Sequence, residues 1–265
     1  MLYKKFDYSQ IIVISDPHAH LKTTLELIKQ LPKNIPIFFI GDLIDKGKRA
    51  KELVDYVKQN HNALLGNHDH LMTVENLPRL WKRYESLWLI NSGKMTQRSY
   101  GGKWKIQNRE ANKLKFIEHV NWFKSLPLIG HFPNIKINGK DLVLSHAGID
   151  QACKLAGDFD NLIDILNNNS RDDLLKNHLK DAENLNQQIA TSILWNVLDR
   201  DSDFSNLPVY NVFGHTTQKD VVIKDNFSCV DTGVYKSDGK LSALLLPSFQ
   251  VFSQDTLDDS WGEKK

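Results

Sequence analysis

Ile35-Pro36-Ile37-Phe38-Phe39-Ile40-Gly41-Asp42-Leu43-Ile44-Asp45-Lys46-Gly47 is the stretch whose reading decides the fold. Its first half, Ile35 to Ile40, is a short apolar run rich in Ile and Phe, the pattern of a parallel strand buried on both faces. Gly41 and Gly47 bracket a tight loop, which places Asp42 and Asp45 together at the strand's exit, on the rim of a sheet. Two carboxylates in one small loop repel unless a cation or a hydrogen-bonded partner lies with them. The pattern then recurs. Ile11 to Ser15 leads into Asp16-Pro17-His18, Ala63-Leu64-Leu65 into Gly66-Asn67-His68-Asp69, Leu142 to Ser145 into His146, and Val209 to Phe213 into Gly214-His215-Thr216. In an open α/β sheet the carboxyl ends of the strands face one crevice, where ligands bind. Sequence order alone therefore predicts that Asp16, His18, Asp42, Asn67, His146 and His215 converge.

Between these runs the period changes. Leu21 to Leu31 places Leu21, Leu25 and Ile28 at helical spacing before Pro32, and Arg49 to Gln59 does the same with Leu53, Val54 and Val57. Two βαβ crossovers follow, so the first third reads as a parallel sheet covered by helices. Glu110 to Leu126 is a further amphipathic helix, with Phe116, Val120 and Phe123 on its core stripe and Pro127 as its stop. The text from His70 to Tyr100 is irregular, with Trp81, Tyr84 and Trp88 among charges and turns at Asn91-Ser92-Gly93 and Gly101-Gly102; it reads as loop and helix near the site mouth. Asp150 to Ile193 is polar and lacks strand signals, and Leu175, Leu179, Ala182 and Ile189 share a helical spacing. It reads as a helical insertion over the rim, serving either substrate choice or packing. Strand-like runs then return at Val221 to Ile223, Phe227 to Val230, Leu241 to Leu246 and Phe249 to Phe252, and residues 254–265 read as a frayed tail.

The chain's 265 residues suffice for one domain, read as 1–253 with the insertion inside it. A net charge of +2 gives no reason to expect nucleic acid, and the basic clusters Lys46 to Lys51 and Lys82-Arg83 read as solvated helix faces. Cys153 and Cys229 are far apart and fit no disulfide framework or thiolate metal spacing, which points to a reducing compartment. No apolar run is long enough to span a bilayer and no cleavable leader is visible, so the expected location is cytoplasmic, away from membranes.

The exit residues form a mixed carboxylate, amide and imidazole set without thiolate. That set suits manganese, iron or zinc better than calcium, which prefers oxygen throughout. Six ligands are too many for one ion, whereas two ions about 3.5–4 Å apart, sharing one carboxylate, would use them. Asp42, central in the order of exits, is the natural bridge.

Asp16-x-His18, Gly41-Asp42-x-x-Asp45-x-Gly47, Gly66-Asn67-His68-Asp69, Ser145-His146-Ala147-Gly148 and Gly214-His215-Thr216 together resemble the calcineurin-like metallophosphoesterases. The likeness is greatest to the bacterial-type phosphoprotein phosphatases (serine/threonine protein phosphatases), because Trp88-x-x-Asn91-x-Gly93, Ser125-Leu126-Pro127-Leu128, Leu194-Trp195 and Asp231-Thr232-Gly233 also fit that branch. The resemblance implies an α/β fold of central mixed β-sheets, sandwich-like, flanked by helices. It implies that Asp16, His18 and Asp42 hold one metal and Asp42, Asn67, His146 and His215 the other, manganese first among the candidates. A water bridging the two would attack phosphorus in line, with His68 as general acid and Asp45 as its partner.

Two positions depart from the family pattern. Lys46 stands where an Arg usually forks onto the substrate phosphate and offers only a point charge, and Ala19 stands where Gly is usual. Arg200 is the nearest candidate for a second phosphate-binding Arg beyond Leu194-Trp195, the spacing leaving its alignment open. His20, His61, His70, His119, His131 and His178 fit no ligand slot and read as surface or hydrogen-bonded core residues.

Three functions are weighed. The first is hydrolysis of phosphoserine or phosphothreonine in proteins, the second a dinucleoside tetraphosphatase or other nucleotide phosphohydrolase, the third a metal-binding regulatory protein with a decayed site. Asp45 and His68 favour the first, since a poor alkoxide leaving group needs a proton more than a nucleotide does.

Overall fold

The strands β2 (Ile11–Ile14) and β3 (Ile37–Phe39) are buried at every position and pair in parallel, Val13 opposite Phe38. The computed structural model describes residues 1–74, 88–101, 109–176 and 182–258. Each of the two strands is followed by its crossover helix, α1 (Leu21–Gln30) and α2 (Ala50–Asn60), and β4 (Asn62–Ala63) then joins β3 in parallel. On α2 the apolar stripe is as expected, with Leu53, Val54 and Val57 fully buried. On α1 the buried face is turned to Thr23, Thr24 and Leu27, leaving Leu21, Leu25 and Ile28 half-buried. Both threonines can sit inside because their hydroxyls are bonded, Thr24 to the His20 carbonyl at 2.8 Å and Thr23 to Asp258 at 2.8 Å.

Next come α3 (Asn67–Val74), a wide helical turn at Leu89–Gly93, α4 (Lys94–Ser99) and α5 (Arg109–Ser125), whose Phe116, Val120 and Phe123 are buried as the spacing predicts. Trp81, Tyr84, the Lys82-Arg83 pair and Gly102 lie outside the described residues.

Two strands of the other sheet, one at the N-terminus and one at mid-chain, carry no clear signal in the sequence. β1 (Tyr3–Lys5) pairs in parallel with β5 (Ile129–Ile137), a nine-residue strand interrupted by Pro133. The register slips between Phe132 and Lys136, where a proline without an N–H is tolerated. β5 returns through Asn138-Gly139, both at positive φ, into β6 (Lys140–Leu144). Four helices follow: α6 (Asp150–Ala156), α7 (Phe159–Asn168), α8 (Arg171–Leu175) and α9 (Leu185–Trp195). The helical reading of this region holds, but the spacing Leu175, Ala182, Ile189 does not describe one helix. Asn184 caps α9, its side chain accepting from Gln187 N at 3.1 Å, so Leu175 and Ile189 belong to different helices; His178 and Leu179 lie outside the described residues. β7 (Val209–Phe213), β8 (Val222–Ile223), β9 (Phe227–Cys229), β10 (Lys240–Leu246) and β11 (Gln250–Asp255) complete the order.

The strands do not form one open sheet. They form two, a six-stranded sheet in the order β1-β5-β6-β7-β9-β8 and a five-stranded sheet in the order β11-β10-β2-β3-β4, both mixed. Alternate residues explain why. Ile11, Val13, Phe38, Ile40, Leu244 and Leu246 of one sheet cluster with Phe132, Leu142, Leu144, Tyr210 and Val212 of the other, and the Phe38 and Phe132 rings meet edge-on at 4.9 Å. The intervening residues, among them Ile12, Ile14, Phe39, Val143 and Phe213, belong to the cluster that includes Leu27, Leu53, Val57 and Ile189 of the helices. The result is a sandwich of two mixed sheets flanked by helices, with buried strands on both faces.

β11 reaches into what sequence reading takes for a frayed tail: Gln254 and Asp255 pair with Leu241 and Lys240 of β10. Asp258 accepts from Thr23 N at 2.9 Å and Lys22 N at 3.3 Å, capping α1 from the far end of the chain. Residues 259–265 lie outside the described residues. Among the described residues no helix is long and apolar enough to cross a membrane. Cys153 and Cys229 are buried and unpaired.

Candidate metal centre and active site

Asp16, Asp42 and Asn67 leave the five-stranded sheet after β2, β3 and β4, and His146 and His215 leave the six-stranded sheet after β6 and β7. The site therefore lies where the carboxyl ends of strands from both sheets meet, rather than along one crevice. Tight exits are needed for this. Asp16, His18, Ala19, Asp42, Asp45, Lys46 and His215 all adopt φ between 42 and 69°. For non-glycine residues this left-handed backbone costs of order 1–2 kcal/mol each, a concentration of strain typical of functional sites. At Ala19 (φ 60°) it explains why the family prefers Gly there. Two glycines are required by contact: a Cβ on Gly66 would lie 2.1 Å from Asp42 N, and one on Gly214 would lie 1.6 Å from Ser15 Oγ.

All six exit residues are brought together. Asp42 is the centre, with His18 Nε2 at 3.5 Å from its Oδ2 and His146 Nε2 at 3.5 Å from its Oδ1. Asp16 Oδ1 lies 4.0 Å from His18 Nε2, while its Oδ2 accepts from Ser15 Oγ and, at 3.0 Å, from His215 N. The Asn67 amide reaches His146 Nε2 at 2.8 Å and His215 Nδ1 at 3.1 Å. His18 and His146 each give their Nδ1–H to a main-chain carbonyl, Ile44 O and Ile40 O, both at 2.9 Å. Those carbonyls belong to the Asp42 loop, so that loop fixes both tautomers and leaves each Nε2 lone pair facing inward.

The electrostatics match. Burial pushes the Asp42 carboxyl up, but His146, His68, His18 and Lys46 outweigh it and hold the group well below the usual carboxylate range. Burial pushes Asp16 well above that range, and the nearby Asp231 and Asp42 charges add to the effect. Burial lowers His18, His146 and His215, the last to about 3, so all three imidazoles are neutral donors at pH 7. A buried carboxylate pair among neutral imidazoles is a donor set that fits divalent cations. Asp42, His146 and His215 place one ligand atom each within 4.8 Å of one another, and so do His18, Asp42 and His68. The residues present thus fit two cations that share Asp42.

His68 enters the cluster through the other side of its ring. Its Nδ1 donates to Asp45 Oδ2 at 2.7 Å, which leaves Nε2 facing Asp42 Oδ2 at 3.9 Å. Asp45, fully buried, also accepts from Trp88 Nε1 at 3.0 Å and from Thr96 Oγ1 at 2.5 Å. Burial raises its carboxyl, and the bonds from His68 and Thr96 oppose the rise. Trp88 is marked in the sequence by its family motif. Thr96 carries no such mark. Asp69, also fully buried, joins the two loops by accepting from Gly66 N and Leu43 N, both at 3.1 Å. Its position three residues past Gly66, at the start of α3, is the spacing of a capping box.

Lys46 Nζ lies 2.9 Å from His18 Nε2 and 3.9 Å from the centroid of the Tyr235 ring. Tyr235, whose hydroxyl is 3.2 Å from Thr217 Oγ1, is a neighbour that no sequence pattern indicates. Beside this pair opens a cavity of about 540 Å³, lined further by Leu89, Met95, Lys94 and Arg98. Arg200 is exposed in the connection after α9, two residues beyond Leu198, whose N donates to Thr216 Oγ1 at 2.9 Å, next to His215. Three further histidines are held by hydrogen bonds within the fold. His119 bridges Tyr100 and Asp55, His131 bridges Tyr3 and Asp141, and His20 is held by the His18 carbonyl at 2.7 Å.

The family described as calcineurin-like phosphoesterase matches residues 9–229 of the chain. No curated protein matches the sequence significantly. Among solved structures, a serine/threonine phosphatase from Saccharomyces cerevisiae with similarity to human phosphatase PP5 superposes with a TM-score of 0.60 at 14% identity, over 98% of this chain and 85% of that one. A cold-active protein-tyrosine phosphatase of a psychrophilic Shewanella gives 0.56 at 18% identity, covering 92% and 77%. A protein provisionally named a diadenosine tetraphosphatase gives 0.53 at 16% identity, covering 98% and 99%. At these identities the likeness is one of fold.

Proposed function

As this chain belongs to the calcineurin-like phosphoesterase family, we propose that it is a bacterial-type phosphoprotein phosphatase, hydrolysing phosphoserine and phosphothreonine in proteins from a single domain. Asp16, His18 and Asp42 would hold one divalent ion, and Asp42, Asn67, His146 and His215 the second, manganese being the first choice. Bound there, the ions would acidify a water and polarise the phosphoryl oxygens.

The observation that carries the reading is the His68–Asp45 pair, tied at 2.7 Å and further held by Trp88 and Thr96. A serine or threonine alkoxide departs only with a proton, and an imidazole whose far nitrogen is anchored on a carboxylate keeps the other nitrogen aimed at that oxygen. Asp45 is the positioning residue: it fixes the ring through the bond to Nδ1. Lys46 contacts the substrate phosphate as a point charge, and Arg200 is the candidate for a second contact.

The test is phosphate release by chelator-treated, manganese-reloaded protein, offered phosphoserine and phosphothreonine peptides beside diadenosine tetraphosphate, with Asp42→Asn as the blank. Release from the peptides that Asp42→Asn abolishes is the expected result. Preference for the dinucleotide would replace the reading with a nucleotide phosphohydrolase, and inertness toward every phosphoester in a metal-loaded protein would replace it with a regulatory metal-binding role.

A further inference from the structure

The cavity of about 540 Å³ beside the cluster carries three cations, Lys46, Lys94 and Arg98. Among the described residues none of the three is ion-paired with a carboxylate: Lys46 meets His18 and the Tyr235 ring, and Arg98 reaches only Met95 Sδ, at 3.7 Å. Lys94 and Arg98 are exposed and stand four residues apart on α4, hence on one face of it. Among the described residues the rest of the wall is mainly apolar, formed by Leu89, Met95 and the Tyr235 ring with Ser92 beside them. A concave site of this size, apolar with a few convergent charges of one sign, is built for an anionic ligand with an apolar portion.

Its position relative to the acid says which part of a substrate would enter. α4 carries Thr96, which holds Asp45, and the segment just before it carries Trp88, which holds Asp45 from the other side. The wall bearing the cations and the acid His68 are thus one assembly, and the acid faces the leaving group. We propose that this cavity receives the leaving-group side of the substrate and selects phosphorylated sites flanked by Asp or Glu, with Arg98 and Lys94 as the specificity-determining residues. The proposal rests on the phosphoprotein reading above. Arg98 offers a fork that grips a carboxylate through two parallel bonds, which Lys46 lacks.

The experiment compares kcat/KM for two phosphoserine peptides identical except that the flanking residues are Asp in one and Lys in the other, for the native chain and for the double variant Lys94→Glu/Arg98→Glu. A ratio is used because it is unaffected by any loss of active protein in the variant. The native chain is expected to favour the acidic peptide by about tenfold, two exposed charge pairs being involved, and the variant to favour the basic one. A native ratio near one, or a ratio that the double variant does not move, overturns this inference while peptide hydrolysis itself leaves the phosphoprotein reading in place. Hydrolysis of diadenosine tetraphosphate with neither peptide cleaved overturns both.

Discussion

A histidine serves as a proton donor only if its ring is held, and here the holding is done by residues scattered over the first hundred positions. His68 Nδ1 is fixed on Asp45, whose carboxylate is in turn fixed by Trp88 and Thr96. Replacing His68 by Asn is expected to lower kcat toward a phosphoserine peptide by about 10²–10⁴-fold. It should cost far less toward p-nitrophenyl phosphate, whose leaving group needs no proton. Metal content by elemental analysis should not change; full peptide activity in this variant would sink the acid assignment. Thr96→Val tests the anchor one step further out. It removes the bond to Asp45 Oδ1 and leaves Asp45 N without the hydroxyl that accepts from it at 2.9 Å. Stability should fall by about 1–3 kcal/mol in denaturant titration, and kcat should fall with KM unchanged. The six exit residues were legible because each follows an apolar run. Thr96 was not, because a hydroxyl in a short polar helix gives no periodic sign that its partner sits 51 positions earlier.

Elements were legible in proportion to how much of their stabilisation is local. α2 and α5 announce themselves by apolar stripes and end where the spacing says. β1 and β5 do not, since Lys4 and Lys5 mask the first and Gly130 and Pro133 break the second, although Asn138-Gly139 marks the hairpin between β5 and β6. Helix ends are also finished from afar. Arg171 donates to the carbonyls of Leu126 and Phe123 at the end of α5, at 2.8 and 3.2 Å. Asp258 closes the start of α1. Asp258→Ala should therefore destabilise the protein by about 1 kcal/mol, lowering Tm by roughly 2–4 °C, with no change in kcat. A Tm equal to that of the native chain would show that water replaces the cap.

At the scale of the whole molecule, Tyr100 links α2 and α5 to the segment that holds Asp45: its hydroxyl lies 2.5 Å from His119 Nδ1, and His119 Nε2 lies 3.0 Å from Asp55. Burial, with Asp55 and Glu52 nearby, raises the Tyr100 phenol well above the usual tyrosine value of about 10. The unfolded chain ionises near that value and the folded chain does not, so the unfolded state loses the proton first. The contribution is intact below pH 10 and declines as pH rises past it, by up to about 1.4 kcal/mol per pH unit. Tyr100→Phe should lower stability at pH 8 and flatten its decline above pH 10, read as the midpoint of urea unfolding against pH. Equal slopes in the two proteins would overturn this. Sequence by itself determined the strand exits, the donor set they present and the family resemblance, because those depend on residue order and on local apolar runs. That the exits belong to two sheets packed face to face, that Asp45 is gripped by Trp88 and Thr96, and that Arg98 lines the same cavity as Lys46 was decided only by tertiary structure. Each of these depends on which distant segments share a core, and burial of alternate faces settles that only when the whole chain has packed.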